Sequence, residues 1–254
     1  MRHLFFILFV VTLFNVATAQ EPVQNRQLWL WLKFSKQLPK NFTVGAQYQV
    51  RLGHDMSTFT GQNFYASVGY RINKYLSSQF TYQYFTSYKS DNHTFFVSLV
   101  GRYRVRKFTF LYRMAYQRIH EYFNQRYEPG REPENEWRNR LTIRYRINSQ
   151  FDVYGFCEPY LNFNTIKNAQ GRYVSKVRNL VGVDWHFYRY NTLTLFYIMQ
   201  PEFFGSRPQH QHVLGIVYDF ELPRKPNWKK FLHPSKGKKP SDNDERDSKD
   251  QQLF

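Results

Sequence analysis

The sequence predicts an all-β protein: a single antiparallel transmembrane β-barrel of about ten to twelve strands, with twelve preferred. Three observations lead to this prediction. Arginines and apolar residues alternate in a long stretch of the chain, aromatic residues are abundant although long apolar runs are missing, and the N-terminus has the pattern of an export signal.

The alternating stretch is Trp137–Ile147, WRNRLTIRYRI. Successive side chains of a β-strand point to opposite faces, so an extended chain separates these residues into two sets. A helix would spread the arginines around its axis and leave no apolar face to bury. A strand with one apolar and one cationic face suits a membrane barrel, which has lipid on one side and water on the other. The apolar face would carry Trp137, Asn139, Leu141, Ile143, Tyr145 and Ile147, and the other face Arg138, Arg140, Thr142, Arg144 and Arg146.

The composition is typical of an exported barrel. Aromatic residues make up 20% of the chain, with 25 Phe and 20 Tyr. After the N-terminal segment, no stretch reaches the roughly 18 consecutive apolar residues that a transmembrane helix needs. Barrel strands cross the bilayer with alternate residues facing a polar lumen, and their aromatic residues form girdles at the two membrane surfaces.

The two ends of the chain differ from its middle. Arg2 and His3, the apolar run Leu4–Phe14 and the small residues Ala17–Ala19 predict a cleaved signal peptide over residues 1–19. Residues 222–254 are rich in Lys, Asp, Ser and Pro, which predicts a disordered basic tail on the periplasmic side. The barrel is therefore predicted over residues 20–221.

The first six predicted strands follow from alternation of this kind. The earliest sets Trp29 and Trp31 against leucines and a phenylalanine, and its orientation is the least defined. The others alternate aromatic or β-branched residues with Gln, Thr, Ser, Gly or Arg. They are Leu28–Phe34, Phe42–Arg51, Phe64–Ile72, Phe80–Tyr88, Phe95–Val105 and Phe108–Ile119.

The polar segment His120–Glu136 is predicted to be the longest loop and separates these strands from the arginine-rich strand. Glu158-Pro159 predicts a bulge, a bend or an end in the strand that follows, because proline lacks the N–H that a sheet requires. The remaining strands are Trp137–Ile147, Phe151–Leu161, Val174–Phe187, Leu193–Gln200 and His212–Phe220.

These stretches number eleven, whereas bacterial single-chain barrels have an even number of strands. We therefore expect a twelfth strand near the N-terminus or within residues 120–136. Short connections alternate with longer ones along the chain. This agrees with bacterial barrels, which have short periplasmic turns and longer external loops. The strand ending at Phe220 resembles the C-terminal signal that the barrel-assembly machinery recognises.

Basic residues on the predicted inner face outnumber acidic ones, within a net charge of +17 for the chain. One interpretation is a pathway for small anionic solutes, because guanidinium groups bind carboxylates and phosphates bidentately. The alternative is a lumen closed by side chains, in which the arginines pair with Asp152, Glu158 and Asp184. The candidate arginines are Arg51, Arg71, Arg102, Arg104, Arg113, Arg138, Arg140, Arg144, Arg146 and Arg178.

Chemistry beyond solute binding has weak support. A membrane-embedded acyl hydrolase would require His93 or His120 to meet a serine such as Ser90 at the rim. His210 and His212 share a strand face, but a third metal ligand is not in view. The only cysteine, Cys157, excludes an internal disulfide and a multi-cysteine metal site. We therefore expect no enzyme activity, no metal and no cofactor.

The pattern resembles a family of uncharacterised outer-membrane barrels of Gram-negative bacteria, known as a domain of unknown function, over about residues 25–221. The resemblance rests on Trp29, Arg51, the Arg138/Arg140/Leu141/Arg144 strand, Glu158-Pro159 and the hairpin from Gly182 to Tyr197. It implies a fold and a location without an established activity. In architecture alone the chain is also similar to small porins for acidic oligosaccharides, which have arginine-lined lumens.

The sequence thus predicts a monomeric barrel in the outer membrane of a Gram-negative bacterium. Outer-membrane lipid and lipopolysaccharide would surround it, and a small anionic solute is its expected ligand. A nucleic-acid partner is not expected, because the export signal sends the arginines to the cell envelope.

Overall fold

The computed structural model describes residues 23–88, 90–123, 133–163, 174–188, 190–203 and 209–222. The predicted signal peptide, and the predicted tail beyond Leu222, lie outside the described residues. Within the described residues, no helix is long and apolar enough to cross a membrane.

The described chain consists of eleven β-strands that close into one barrel. Ten neighbouring pairs follow the chain and are antiparallel, and β1 pairs with β11 to close the sheet. The strands are β1 Val23–Gln37, β2 Phe42–Gly53, β3 Thr58–Arg71, β4 Leu76–Thr86, β5 Ser90–Val105, β6 Phe108–Phe123, β7 Glu134–Arg146, β8 Phe151–Asn162, β9 Val174–Tyr188, β10 Asn191–Glu202 and β11 Gln209–Leu222.

The alternation in the sequence becomes the inside and the outside of this barrel. In β7, Leu141 and Ile143 are exposed on the outer surface. Thr142, which lies between them, and Arg140, which precedes Leu141, are buried on the inner side. An apolar exterior around a polar interior is the reverse of a soluble protein and is typical of a membrane barrel. The all-β barrel that the sequence predicts is confirmed.

Aromatic pairs form a girdle near each end of the outer surface. At one end, Phe108 packs on Tyr145 with ring centroids 4.9 Å apart, and Phe151 stacks on Trp185 at 6.4 Å. At the other end Tyr197 stacks on His212 at 6.1 Å. Amphipathic rings of this kind favour the boundary between the acyl chains and the headgroups.

Short turns connect the strands at one end of the barrel, which we call the turn rim: there β1, β3, β5, β7 and β9 end. Asn73 and Asn148 make the same turn there, because each side-chain Oδ1 accepts hydrogen bonds from two backbone N–H groups that follow. Arg106, in the two-residue connection between β5 and β6, has a positive φ of 51°. The opposite end, where β2, β4, β6, β8 and β10 end, is called the loop rim.

The strand number differs from the preferred twelve, since the described residues close with eleven. An odd number is possible because β1 and β11 run parallel, in a continuous register from Val23 opposite Gln209 to Lys36 opposite Leu222. Sequence alternation cannot reveal this closure, because it carries no information on which distant strands pair. As a consequence, β1 starts at the loop rim and β11 ends at the turn rim.

Two local expectations need correction. The loop predicted over residues 120–136 is shorter, because β6 continues to Phe123 and β7 begins at Glu134. Of the alternatives predicted at Glu158-Pro159, an end of the strand is wrong, because β8 runs on to Asn162 and Pro159 lies opposite Val177 of β9. The bulge agrees with the structure, since the register with β9 shifts between Tyr160 and Leu161. The missing N–H of Pro159 falls on the β7 side, where the register between β7 and β8 is interrupted.

The parallel closure can be tested with paired cysteines. Leu30 and Ile216 are register partners on the outer surface, and neighbouring strands lie about 4.8 Å apart. In a Cys157→Ser background, we expect Leu30→Cys and Ile216→Cys to be joined by a short bifunctional thiol reagent, with the cross-link located by mass spectrometry. Leu30→Cys combined with Ile143→Cys, on distant β7, is the control. Failure of the first pair to link in a folded barrel would indicate a strand between β1 and β11.

Candidate luminal anion site

The structure places all ten candidate arginines on the inner face of the barrel. The side chains of Arg113, Arg138, Arg140 and Arg144 are buried, with Arg140 only 2% exposed. Arg71, Arg102 and Arg104 lie on the inner faces of β3 and β5 and are partly exposed. The remaining three are Arg51, Arg146 and Arg178.

A single carboxylate, Glu158, organises the middle of the lumen and is fully buried at 0% exposure. Arg113 Nη2 donates to Oε1 at 2.5 Å, and Arg140 Nη2 donates to Oε2 at 2.8 Å. Arg138 binds both carboxylate oxygens, at 3.2 and 3.0 Å, and Tyr160 Oη donates to Oε2 at 3.2 Å. We call Arg113, Arg138, Arg140 and Glu158 the Glu158 cluster.

The register of the sheet explains why Glu158 is needed there. Arg113 of β6 is the cross-strand partner of Arg140 of β7, and like charges directly opposite each other destabilise a sheet. Glu158 comes from β8 and contacts both guanidinium groups, so its charge offsets their repulsion. One carboxylate against three guanidinium groups nevertheless leaves this cluster cationic.

Aromatic rings of β8 hold the arginine side chains of β7 in place. The guanidinium carbon of Arg140 lies 4.0 Å from the ring centre of Phe156, that of Arg138 lies 4.4 Å from Tyr160, and that of Arg144 lies 5.1 Å from Tyr154. Cation–π contacts of this kind fix the orientation of a guanidinium and are stronger when water is excluded. The two strands therefore form a ladder of arginines packed on aromatic rings.

A second cluster lies nearer the turn rim. Arg144 Nη1 contacts Asp184 Oδ2 at 2.7 Å and Asp152 Oδ2 at 3.3 Å. Asp152 also lies 3.9 Å from Arg146 and 3.3 Å from His186, and Thr194 Oγ1 donates to Asp184 at 2.5 Å. Here acids and bases are nearly balanced, in contrast with the Glu158 cluster.

Arg51 and Arg178 have a different environment, because both face the indole ring of Trp29, at 4.4 and 5.7 Å from its centre. Their Nε–H groups donate to amide oxygens, Arg51 to Gln49 at 3.0 Å and Arg178 to Gln200 at 2.8 Å. Among the described residues, no carboxylate lies within salt-bridge distance of either guanidinium. Among the described residues, aromatic rings and amide oxygens therefore surround both guanidinium groups in place of carboxylates.

Several inner charged residues are missing from the sequence-based set. Glu136 is 4% exposed and accepts a hydrogen bond from Gln117, although it was expected in a loop. Lys33 lies 3.8 Å from Asp219, and Lys176 lies over the ring of Tyr160 at 4.7 Å. Alternation could have found Glu136, since it lies two positions before Arg138.

Two cavities open the lumen on the side of the turn rim. The larger encloses about 850 Å³ of empty space, counting the part open to solvent, and is lined by aromatic and aliphatic residues together with charged and polar ones. The charged and polar lining residues are Lys33, Arg144, Arg178, Asp184, His186, Thr192, Thr194, Asp219 and Glu221. The smaller, about 450 Å³, is polar and lies against β2–β4. Small residues face this cavity from the inner side of the wall: Gly45, Ser67, Gly69 and Ser77.

The histidines considered for chemistry lie elsewhere. His93 is hydrogen-bonded through Nδ1 to Tyr82 Oη at 2.6 Å, and His212 through Nδ1 to Tyr197 Oη at 2.6 Å. His93 and His120 are cross-strand partners on the outer surface near the loop rim. Within the described part of the chain, no three metal-ligating side chains come together.

A closed barrel with an apolar exterior, aromatic girdles and a charged interior defines a porin-like transmembrane β-barrel. The chain belongs to the family described as "Protein of unknown function (DUF2490)", whose model matches residues 26–211. A search of curated proteins finds no match to this chain.

Comparison with solved structures agrees with this class. The fold is similar to that of the NanC porin, with a TM-score of 0.51 and 16% identity, covering 75% of this chain and 91% of the porin. OccK8 (OprE) of Pseudomonas aeruginosa matches more loosely, with a TM-score of 0.33 and 12% identity over 68% of this chain and 57% of that protein. At 16% identity the likeness to the NanC porin concerns the fold alone.

Proposed function

We propose that this barrel resides in the outer membrane of a Gram-negative bacterium and binds and passes small anionic solutes through its arginine-rich lumen. The observation that carries the proposal is the charge imbalance at the Glu158 cluster, where three buried guanidinium groups share one carboxylate among the residues that the structure describes. Arg51 and Arg178, without carboxylate partners among the described residues, add to that imbalance.

The physical argument concerns the cost of unbalanced charge. A buried charge is stable only when it is paired or hydrogen-bonded. A lumen closed by structural ion pairs would therefore contain about as many acidic as basic side chains. The cluster around Asp152 approaches such a balance, whereas the Glu158 cluster does not. Anions that enter from the lumen would supply the missing negative charge, and the guanidinium forks suit carboxylates and phosphates.

A second candidate function is a closed barrel with a structural role, in which the loops or the tail would bind a partner. It is favoured by the low exposure of the Glu158 cluster, since Arg113 and Arg138 are only 8% and 9% exposed. Conductance separates the two candidates. Catalysis is not part of either proposal.

The test is single-channel conductance of the refolded protein in a planar bilayer, with a salt gradient to measure ion selectivity. We expect anion-selective openings, and Arg140→Gln and Arg144→Gln should each lower the selectivity for anions. Lys40→Gln, in an exposed turn, changes the same charge outside the lumen and should leave the selectivity unchanged. A folded barrel that passes no current would support the closed structural barrel instead.

The expected partners of the barrel are the membrane around it and the machinery that assembles it. Lipid and lipopolysaccharide would contact the outer apolar band, and the strand ending at Phe220 would present the signal to the assembly machinery. The monomer is the proposed unit, with the tail on the periplasmic side.

A further inference from the structure

The larger cavity differs from the water-filled lumen of a general porin, because much of its wall is apolar. Trp29, Tyr154, Phe156, Leu180, Phe196, Ile198, Val213 and Val217 form one buried cluster that faces inward from β1 and β8–β11. Apolar surface gains free energy when it is removed from water. The cavity beside that cluster is open to solvent on one side, so a ligand that enters the lumen can reach this apolar wall.

Charged groups lie at defined places in the same cavity. Lys33 and Arg144 have acidic partners within it, Asp219 at 3.8 Å and Asp184 at 2.7 Å. Arg178 has an amide oxygen and aromatic rings around it, and it contacts no carboxylate among the described residues. Arg178 is thus the cation in this cavity that is best placed to receive the charge of a ligand.

Resting on the function proposed above, we propose that this cavity selects small organic carboxylates with an apolar ring or chain. The carboxylate binds Arg178, and the apolar body packs against Trp31, Phe156 and Phe196. Trp31 is suited to this role because its ring already stacks on Trp29, at 6.4 Å, and meets Phe196 edge-on at 6.2 Å.

The apolar part of the wall also argues against a strongly hydroxylated ligand body at that place, although polar residues line the rest of the cavity. Leu180, Ile198 and Val217 carry no side-chain hydrogen-bond donor or acceptor, and buried hydroxyl groups without partners are destabilising. Two acids of the same ring size separate these classes: cyclohexanecarboxylate, with an apolar ring, and glucuronate, with a hydroxylated one. The cavity is expected to prefer the first.

The experiment is titration calorimetry of the refolded barrel in detergent, which measures binding whether or not the barrel conducts ions. We expect cyclohexanecarboxylate to bind about tenfold more tightly than glucuronate, and Arg178→Gln to weaken its binding about tenfold, the order of one charge-assisted hydrogen bond. Ile198→Thr should reduce the preference, because it introduces a hydroxyl into the apolar wall. Lys74→Gln removes an exposed cation at the turn rim and should have no effect.

The outcomes separate this inference from the proposed function. Equal binding of the two acids, or binding that Arg178→Gln leaves unchanged, would overturn the inference while an anion-selective conductance could still stand. The absence of binding by either acid would also overturn it. Selective binding by a barrel that passes no current would uphold the ligand class and reject the channel.

Discussion

Replacing Glu158 by Gln is expected to destabilise the barrel by about 3–5 kcal/mol, the usual cost of removing one partner from a buried ion pair. The substitution keeps the size of the side chain and removes a carboxylate that contacts all three guanidinium groups of the Glu158 cluster. The repulsion between Arg113 and Arg140, which face each other across β6 and β7, would then lose the counter-charge of Glu158. Urea unfolding in detergent, followed by the gel mobility of the folded barrel, measures the loss.

Two comparisons make this prediction specific to charge. Asp55→Asn removes a carboxylate from an exposed turn and should change the free energy of unfolding little. In an Arg140→Gln background, Glu158→Gln should be less harmful, because one of the repelling cations has gone. Added sulfate or acetate should partly restore Glu158→Gln if anions can enter the cluster. A variant as stable as the original chain would show that Glu158 does not hold the lumen together.

Gly215→Val is expected to have the other large effect, through packing. A Cβ atom at Gly215 would lie 1.9 Å from the ring of Phe196, its cross-strand partner on the inner face of β10. The ring therefore occupies the space above the glycine, and a larger residue must displace it. Overpacking of a core typically costs about 1–3 kcal/mol. The displaced ring of Phe196 would lose its edge contact with Trp31 and turn into the cavity that it lines. We expect a loss of folded barrel, measured as the fraction with folded gel mobility.

The matched control is Gly69→Val, because Gly69 also faces inward but a Cβ there would have its nearest neighbour at 3.6 Å. Adding Phe196→Ala to Gly215→Val should restore part of the folded fraction, since it removes the clashing ring. If the double variant folded no better than Gly215→Val alone, the defect would arise from strand propensity rather than from this contact.

The sequence by itself determined the fold class and the two surfaces of the barrel. Alternation has a period of two residues, and this period alone decides which side chains share a face. It therefore places Arg138, Arg140 and Arg144 on one face and Leu141 and Ile143 on the other, without any knowledge of neighbouring strands. The same rule assigns the inner arginines of the other strands and includes Glu136, once its segment is recognised as part of β7.

The tertiary structure alone decided which of these residues meet. Arg113 and Glu158 are 45 positions apart, and their contact depends on the combined register of β6, β7 and β8. The parallel pairing of β1 with β11 likewise joins the two ends of the described chain and makes eleven strands sufficient. Register and closure arise from packing across the whole barrel, and a local pattern in the sequence cannot specify them. For this reason the charged lumen could be predicted residue by residue, whereas the shared carboxylate and the apolar cavity beside Arg178 could not.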